Sequence, residues 1–174
     1  GALLYIDLDQ FKVINDTAGH IAGDFLLSQL GTLIQEKSRE DDVVARLGGD
    51  EFGLILKNRS IDATMQVAEE LRTAIKNLRF NWGDTQYDIG ASIGLIPINK
   101  DSENAQSMMA AADSACFTAK DQGRNQVHYH DPAERNSEHT TLIRRSQEIT
   151  RAMQEHRLEL YCQPIERIAA GNTL

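Results

Sequence analysis

Two apolar runs, Val43-Val44-Ala45-Arg46-Leu47 and Phe52-Gly53-Leu54-Ile55-Leu56, flank Gly48-Gly49-Asp50-Glu51, and this arrangement limits the fold more than any other stretch of the chain. Paired glycines between strand-like runs supply the positive backbone angles of a tight turn, so the segment predicts an antiparallel hairpin. Its tip carries two adjacent carboxylates on a stiff ribbon. Gly-Gly-Asp is ordinary turn chemistry by itself; only further groups aimed at the same tip would make it a site.

Such groups follow the first strand-like run. Residues 3–8 are nearly continuously apolar, as in a strand buried on both faces, and Asp7 and Asp9 emerge at its C-terminal end. Ligands gather at such ends in open α/β sheets. Carboxylates from two strand ends can hold a hard cation such as Mg²⁺ against a phosphate.

Residues 11–20 read as a polar loop around an apolar patch. Leu26, Leu27, Leu30, Leu33 and Ile34 then predict a helix with Asp24 at its N-terminus, either as a cap or as a ligand; Asn15 is a turn former or a ligand. The run Arg39-Glu40-Asp41-Asp42 reads as a solvated connector into the hairpin. After the hairpin, Ser60 predicts the cap of a helix whose apolar stripe is Ala63, Val67, Leu71 and Ile75, with Glu69, Glu70 and Arg72 facing solvent. Asn81-Trp82-Gly83-Asp84 separates two strand-like runs, the second alternating at Tyr87, Ile89, Ala91, Ile93 and Leu95, and Trp82 reads as a packing aromatic. An alanine-rich helix over 105–122 ends at Gly123, where Lys120 and Arg124 complement its C-terminus, and 127–130 form a last short strand. The polar segment 131–140 marks a domain boundary, followed by a helix over 141–155 and a strand over 158–165.

Charge narrows the function classes. With 26 acidic and 18 basic side chains the net charge is −8, which argues against a grip on a nucleic-acid polymer, since that needs a basic surface. A single nucleotide held through a metal stays open. Cys116 and Cys162 lack metal spacing and read as reduced thiols, and no histidine has a partner at ligand spacing. No apolar run approaches the roughly 18 residues of a membrane span, so the expected location is the cytoplasm, with any anchor lying upstream.

Asp7-Leu8-Asp9-Gln10-Phe11-Lys12, Asn15-Asp16, Gly19-His20, Gly23-Asp24 and Gly48-Gly49-Asp50-Glu51-Phe52 together resemble the GGDEF family of diguanylate cyclases, in order and in spacing. Ala91-Ser92-Ile93-Gly94, Ala111-Ala112-Asp113, Ala119-Lys120 and Gly123-Arg124-Asn125 extend the resemblance over residues 1–130. It implies an α/β fold like the nucleotidyl-cyclase palm: a mixed, largely antiparallel central sheet flanked by helices, with a C-terminal linker helix. The hairpins disfavour a doubly wound parallel sheet. The implied organisation is a GGDEF domain over 1–131 that lacks the family's opening helix, a linker over 132–157, and the start of an EAL phosphodiesterase domain over 158–174.

The implied activity joins two GTP molecules into cyclic di-GMP with release of two pyrophosphates, in a homodimer. Asp7, Asp50 and Glu51 would give carboxylates, and Leu8 a carbonyl, to Mg²⁺, with Mn²⁺ as the alternative; the sequence does not divide the metal and base duties between Asp50 and Glu51. Lys12, the Phe11 and Lys12 amides, Lys120 and Arg124 would meet phosphates. Asn15 and Asp24 would read guanine, because a carboxylate that accepts from the N1–H and amino group is left unpaired by adenine. Arg39 and Asp42, with five residues between Asp42 and Gly48, match the family's inhibitory product site. One departure is Cys116-Phe117-Thr118 in place of the family's Leu-Tyr. A rival expectation is a non-catalytic GTP or cyclic di-GMP sensor that regulates an attached EAL domain.

Overall fold

A computed structural model describes residues 1–100, 102 and 104–131; the expected linker helix, the strand over 158–165 and Cys162 lie outside the described residues. The elements in order are β1 (Ala2–Asp9), α1 (Phe11–Ala18), α2 (His20–Lys37), β2 (Val43–Gly48), β3 (Glu51–Leu56), α3 (Ile61–Lys76), β4 (Phe80–Trp82), β5 (Thr85–Tyr87), β6 (Gly90–Pro97), α4 (Ala105–Asp121) and β7 (Val127–Tyr129). Five strands form one sheet in the order β2-β3-β1-β6-β7, and β4 pairs with β5 in a separate ribbon. Only β6 and β7 run parallel. The sheet is therefore mixed and largely antiparallel, with helices on its faces.

β1 lies in the middle, and the two-residue period of a strand divides its side chains between two layers. Ala2, Leu4, Ile6 and Leu8 enter the larger core with Leu26, Leu30 and Ile34 of α2 and Ala68, Leu71 and Ile75 of α3. Leu3 and Tyr5 face the other way, into a second layer with Ile96 of β6 and Ala112 and Cys116 of α4. Burying a Leu or Ile fully contributes about 2 kcal/mol, so this strand anchors both layers. Its odd positions continue to Asp7 and Asp9, which places those carboxylates on the α4 side.

α4 lies directly on β6. A Cβ at Gly94 would fall well inside 3.0 Å of the Ala112 carbonyl oxygen and the Cys116 amide nitrogen, so only a residue without a side chain permits this approach. The hairpin forms as expected, with Gly49 at φ 51° in the turn. Ser60 caps α3 by accepting from the Ala63 N–H at 3.2 Å, and Trp82 packs against Phe80 and Phe25 with ring centroids 6.2 and 5.8 Å away.

Four local expectations change. Residues 11–18 form α1 rather than a loop: Asn15, Asp16 and Thr17 have weak helix propensity, but Phe11 and Ile14 bury one face of the turn against the core. α2 begins at His20, so Asp24 sits exposed in its second turn and caps nothing. The buried stripe of α3 is Thr64, Ala68, Leu71 and Ile75, Ala63 being exposed in the first turn; Glu69 and Arg72 are half-buried and paired at 2.7 Å rather than solvated. The long run after Trp82 divides into β5 and β6. β6 is buried on both faces instead of alternating, because it lies between β1 and β7 with helices above and below.

Candidate active site

Pairing of β1 with β3 sets Asp7 opposite Glu51. The Leu8 N–H donates to the Asp50 carbonyl at 3.4 Å, which ties the hairpin turn to the end of β1. Arg46 stiffens the same turn by donating Nε and Nη2 to the Gly49 carbonyl, at 3.0 and 2.7 Å. On the same face of the sheet α4 delivers Lys120, whose Nζ lies 2.6 Å from Asp7 Oδ2.

These charges alter one another. Burial is the largest influence on Asp7 and raises its pKa; Lys120 pulls it back, while Asp50 and Glu51 raise it further, and the balance stays above the ordinary carboxylate value. For Lys120, burial favours the neutral form, but the hydrogen bond and charge of Asp7 prevail and raise its pKa. Tyr5, one strand position from the site on the same face, is raised by burial and by the nearby Glu51 carboxylate. A cavity of about 360 Å³ opens over this cluster, lined by the run Asp7 to Lys12 together with Asp50, Lys120 and Arg124. Phe11 and Lys12 open α1, and amides in a first helical turn lack intrahelical acceptors and suit an anion.

Among the described residues no three His, Cys, Asp or Glu side chains are grouped to hold an ion unaided. That is compatible with Mg²⁺, which keeps several waters and is usually held by one or two carboxylates plus substrate phosphates. The donor set fits: Asp7 suffers repulsion from Asp50 and Glu51 that a cation would relieve, and the Lys120 ammonium already lies against it.

The remaining sequence-predicted residues fall into two other places. Asn15 and Asp24 lie outside the cavity, on α1 and α2, and Asn15 Oδ1 rests where a Cβ of Gly23 would be, beside Asp24. Arg39 and Asp42 lie at the opposite end of the hairpin from Asp50, about 20 Å away by strand length. Asp42 is buried and its carboxylate is heavily engaged: Oδ1 accepts from the Lys57 N–H at 3.0 Å, and Oδ2 from the Arg39 N–H at 2.9 Å and from the Arg59 guanidinium. The Arg39 side chain is exposed. Sequence reasoning missed Arg59 and Tyr5. The alternation of β1 that exposes Asp7 to the α4 side would have found Tyr5; nothing local identifies Arg59.

A family model described as diguanylate cyclase, GGDEF domain, matches residues 1–126. The probable diguanylate cyclase DgcE of Escherichia coli (strain K12) is 41% identical over 131 residues, which cover 75% of this chain and 12% of that protein. The cyclic di-GMP phosphodiesterase PdeB of Shewanella oneidensis is 34% identical over 172 residues, 98% of this chain and 20% of that protein. The chain thus spans a minor part of both relatives. The crystal structure of the GGDEF domain of DgcB from Caulobacter crescentus in complex with c-di-GMP superposes with a TM-score of 0.68 at 30% identity, covering 74% of this chain and 76% of that one.

Proposed function

This chain belongs to the GGDEF-domain diguanylate cyclase family, and from that premise we propose that it condenses two GTP molecules into cyclic di-GMP and two pyrophosphates, at a site completed by a second copy of the chain. The observation that carries the reading is the convergence of Asp7 and Asp50 with Lys120, Lys12 and Arg124 around one cavity, with Glu51 opposite Asp7 in the strand register. Negative groups suited to a cation stand beside positive groups suited to phosphate.

Asp7, Asp50, Glu51 and the Leu8 carbonyl would hold Mg²⁺, with Mn²⁺ as the alternative. When bound, the ion supplies neutralisation of phosphate charge and orientation of the triphosphate. Lys12, Lys120, Arg124 and the first amides of α1 bind and orient the phosphates, so the charge that develops on them meets fixed donors. Lys120 is held by Asp7 in the free protein, and its ammonium stands where it can also meet a substrate phosphate. Glu51, steadied by Tyr5, is the carboxylate of the pair suited to accept the proton of an attacking 3′-hydroxyl. Asn15 and Asp24 bind guanine. The product is twofold, so two sites face each other with their hydroxyls toward each other's α-phosphates, which makes turnover depend on dimerisation.

Arg39, exposed beside the Asp42 knot, is the cationic member of an inhibitory product site, with Asp42 shaping the turn and offering its remaining lone pair. The substrate is GTP, which places the domain in the cytoplasm. Residues 158–174 are the start of an EAL domain, a reading supported by the alignment with PdeB along 98% of the chain.

Incubating the full-length protein with GTP and Mg²⁺ is expected to yield cyclic di-GMP, and Asp50→Ala to abolish it. PdeB is named as a phosphodiesterase, which favours a second reading: a GTP or cyclic di-GMP sensor that controls an attached EAL domain. Tight GTP binding without product in that incubation would support the sensor and refute the cyclase.

A further inference from the structure

Asp7 and Asp9 are one residue apart in the same strand and share a sheet face, yet only Asp7 meets Lys120. The Asp9 carboxylate is occupied by the protein itself. Its Oδ1 accepts from the Ser92 hydroxyl at 2.7 Å, and its Oδ2 accepts from the backbone N–H of Asn125 at 2.9 Å. Gly90 makes room for this meeting: a Cβ there would lie 3.0 Å from Asp9 Oδ2 and 3.4 Å from the Asn125 Cβ.

The loop that Asp9 grips has a backbone that needs holding. Arg124 and Asn125 have φ of 63° and 46°, the left-handed region that non-glycine residues adopt at a cost. Asn125 Oδ1 is buried with no hydrogen-bond partner among the described residues, so its own side chain does not fix the loop. The Arg124 N–H donates to the Ala119 carbonyl at 3.1 Å, which ties the loop to the end of α4; the Asn125 carbonyl is met, among the described residues, by Arg72 Nη1 at a long 3.4 Å. The 2.9 Å bond to Asp9 is the short, charge-assisted one. Arg124, the residue just before that bond, lines the cavity with Asp7, Asp50 and Lys120.

We propose that Asp9 is a positioning residue: it clamps the 123–125 loop to the end of β1 and thereby holds the Arg124 guanidinium over the cavity, where it meets the phosphates of a nucleoside triphosphate, and it is not a metal ligand. The identity of the ligand rests on the function proposed above. Asp9→Asn keeps shape and the Ser92 contact but removes the acceptor or reverses it toward Asn125.

The test is a double-mutant cycle with Arg124→Ala, reading the affinity of the full-length protein for a GTP analogue with a non-cleavable α,β linkage, in Mg²⁺, by calorimetry. Asp9→Asn is expected to weaken binding by about tenfold, the scale of one lost charge-assisted contact, and to add almost nothing in the Arg124→Ala background. The Mg²⁺ concentration for half-maximal binding is expected to stay unchanged. Ser92→Ala, which leaves the Asp9 charge in place, should give a smaller loss that also vanishes without Arg124. Equal losses in both backgrounds, a wild-type affinity for Asp9→Asn, or a raised Mg²⁺ requirement would each overturn the assignment. A wild-type protein that binds no analogue would instead overturn the proposed function, and this inference with it.

Discussion

Replacing Gly94 by alanine tests the close approach of the α4 backbone to β6. The added methyl would be driven into the Ala112 carbonyl oxygen and the Cys116 amide nitrogen of α4. Both obstacles are backbone, so no rotamer change relieves them and the helix must move off the sheet by on the order of 1 Å, at an overpacking cost whose usual range is 1–3 kcal/mol. The retreat also loosens the layer of Leu3, Tyr5, Ile96, Ala112 and Cys116, so the upper end, about 3 kcal/mol, is the expected loss. That is a large share of the roughly 5–15 kcal/mol by which a domain is stable. Urea unfolding should show a lower midpoint with an unchanged slope. Because α4 carries Lys120 to Asp7, GTP binding should fall as well. Gly31→Ala is the internal contrast: its nearest obstacle is Phe52 Cε1 at 3.8 Å, and removing a glycine from within α2 should stabilise the protein by about 0.5–1 kcal/mol. If Gly94→Ala lies within about 0.5 kcal/mol of wild type, the range of ordinary surface changes, the close-approach argument is wrong.

Acid stability should depend on Asp42. Burial would raise its pKa, but the Arg39 and Lys57 N–H groups and the Arg59 guanidinium outweigh burial and hold it below the ordinary value. A carboxyl with a depressed folded pKa contributes stability above its unfolded value near 4 and loses it as pH falls through the folded value. Asp42→Asn should therefore cost about 3 kcal/mol at neutral pH, the low end for a broken buried pair, and flatten the fall in stability measured from about pH 5 to about pH 2. Gly23→Ala would push Asn15 and the Phe11 ring tip from their places; unfolding should change little, since helix propensity offsets the crowding, while preference for GTP over ATP declines. Burial pushes the Cys116 thiol up to about 12, so a thiolate-selective alkylating agent followed by peptide mapping should label it only in denaturant; rapid labelling of the folded protein would contradict its placement on the buried face of α4.

The local grammar of this chain was legible in order. Glycines between two apolar runs specify the hairpin, a continuous apolar run specifies a strand buried on both faces, and the Ser60 cap and Gly123 bound two of the helices, because each rests on backbone angles and periods that neighbouring residues dictate. Where propensity and packing disagreed, packing prevailed. The polar residues 15–17 suggested a loop, but Phe11 and Ile14 gain more from the core than the backbone loses in α1.

Periodicity alone could place Asp7 and Asp9 on one face of β1 and the charge of Lys120 at the end of α4. It could not tell which carboxylate meets the ammonium and which grips the 123–125 loop, since the contacts from Lys120 to Asp7 and from Asn125 to Asp9 join segments more than a hundred residues apart in sequence. Nor could it read Asp42 as a knot, because Arg59 reaches it only once β2 and β3 have paired. The sequence by itself determined the elements and the chemistry available at their ends, through short-range steric and hydrogen-bonding rules. The tertiary structure decided which charges are partnered and which are left for a substrate, because partnership depends on distances of a few ångströms that the stacking of α4, β1 and β3 alone sets.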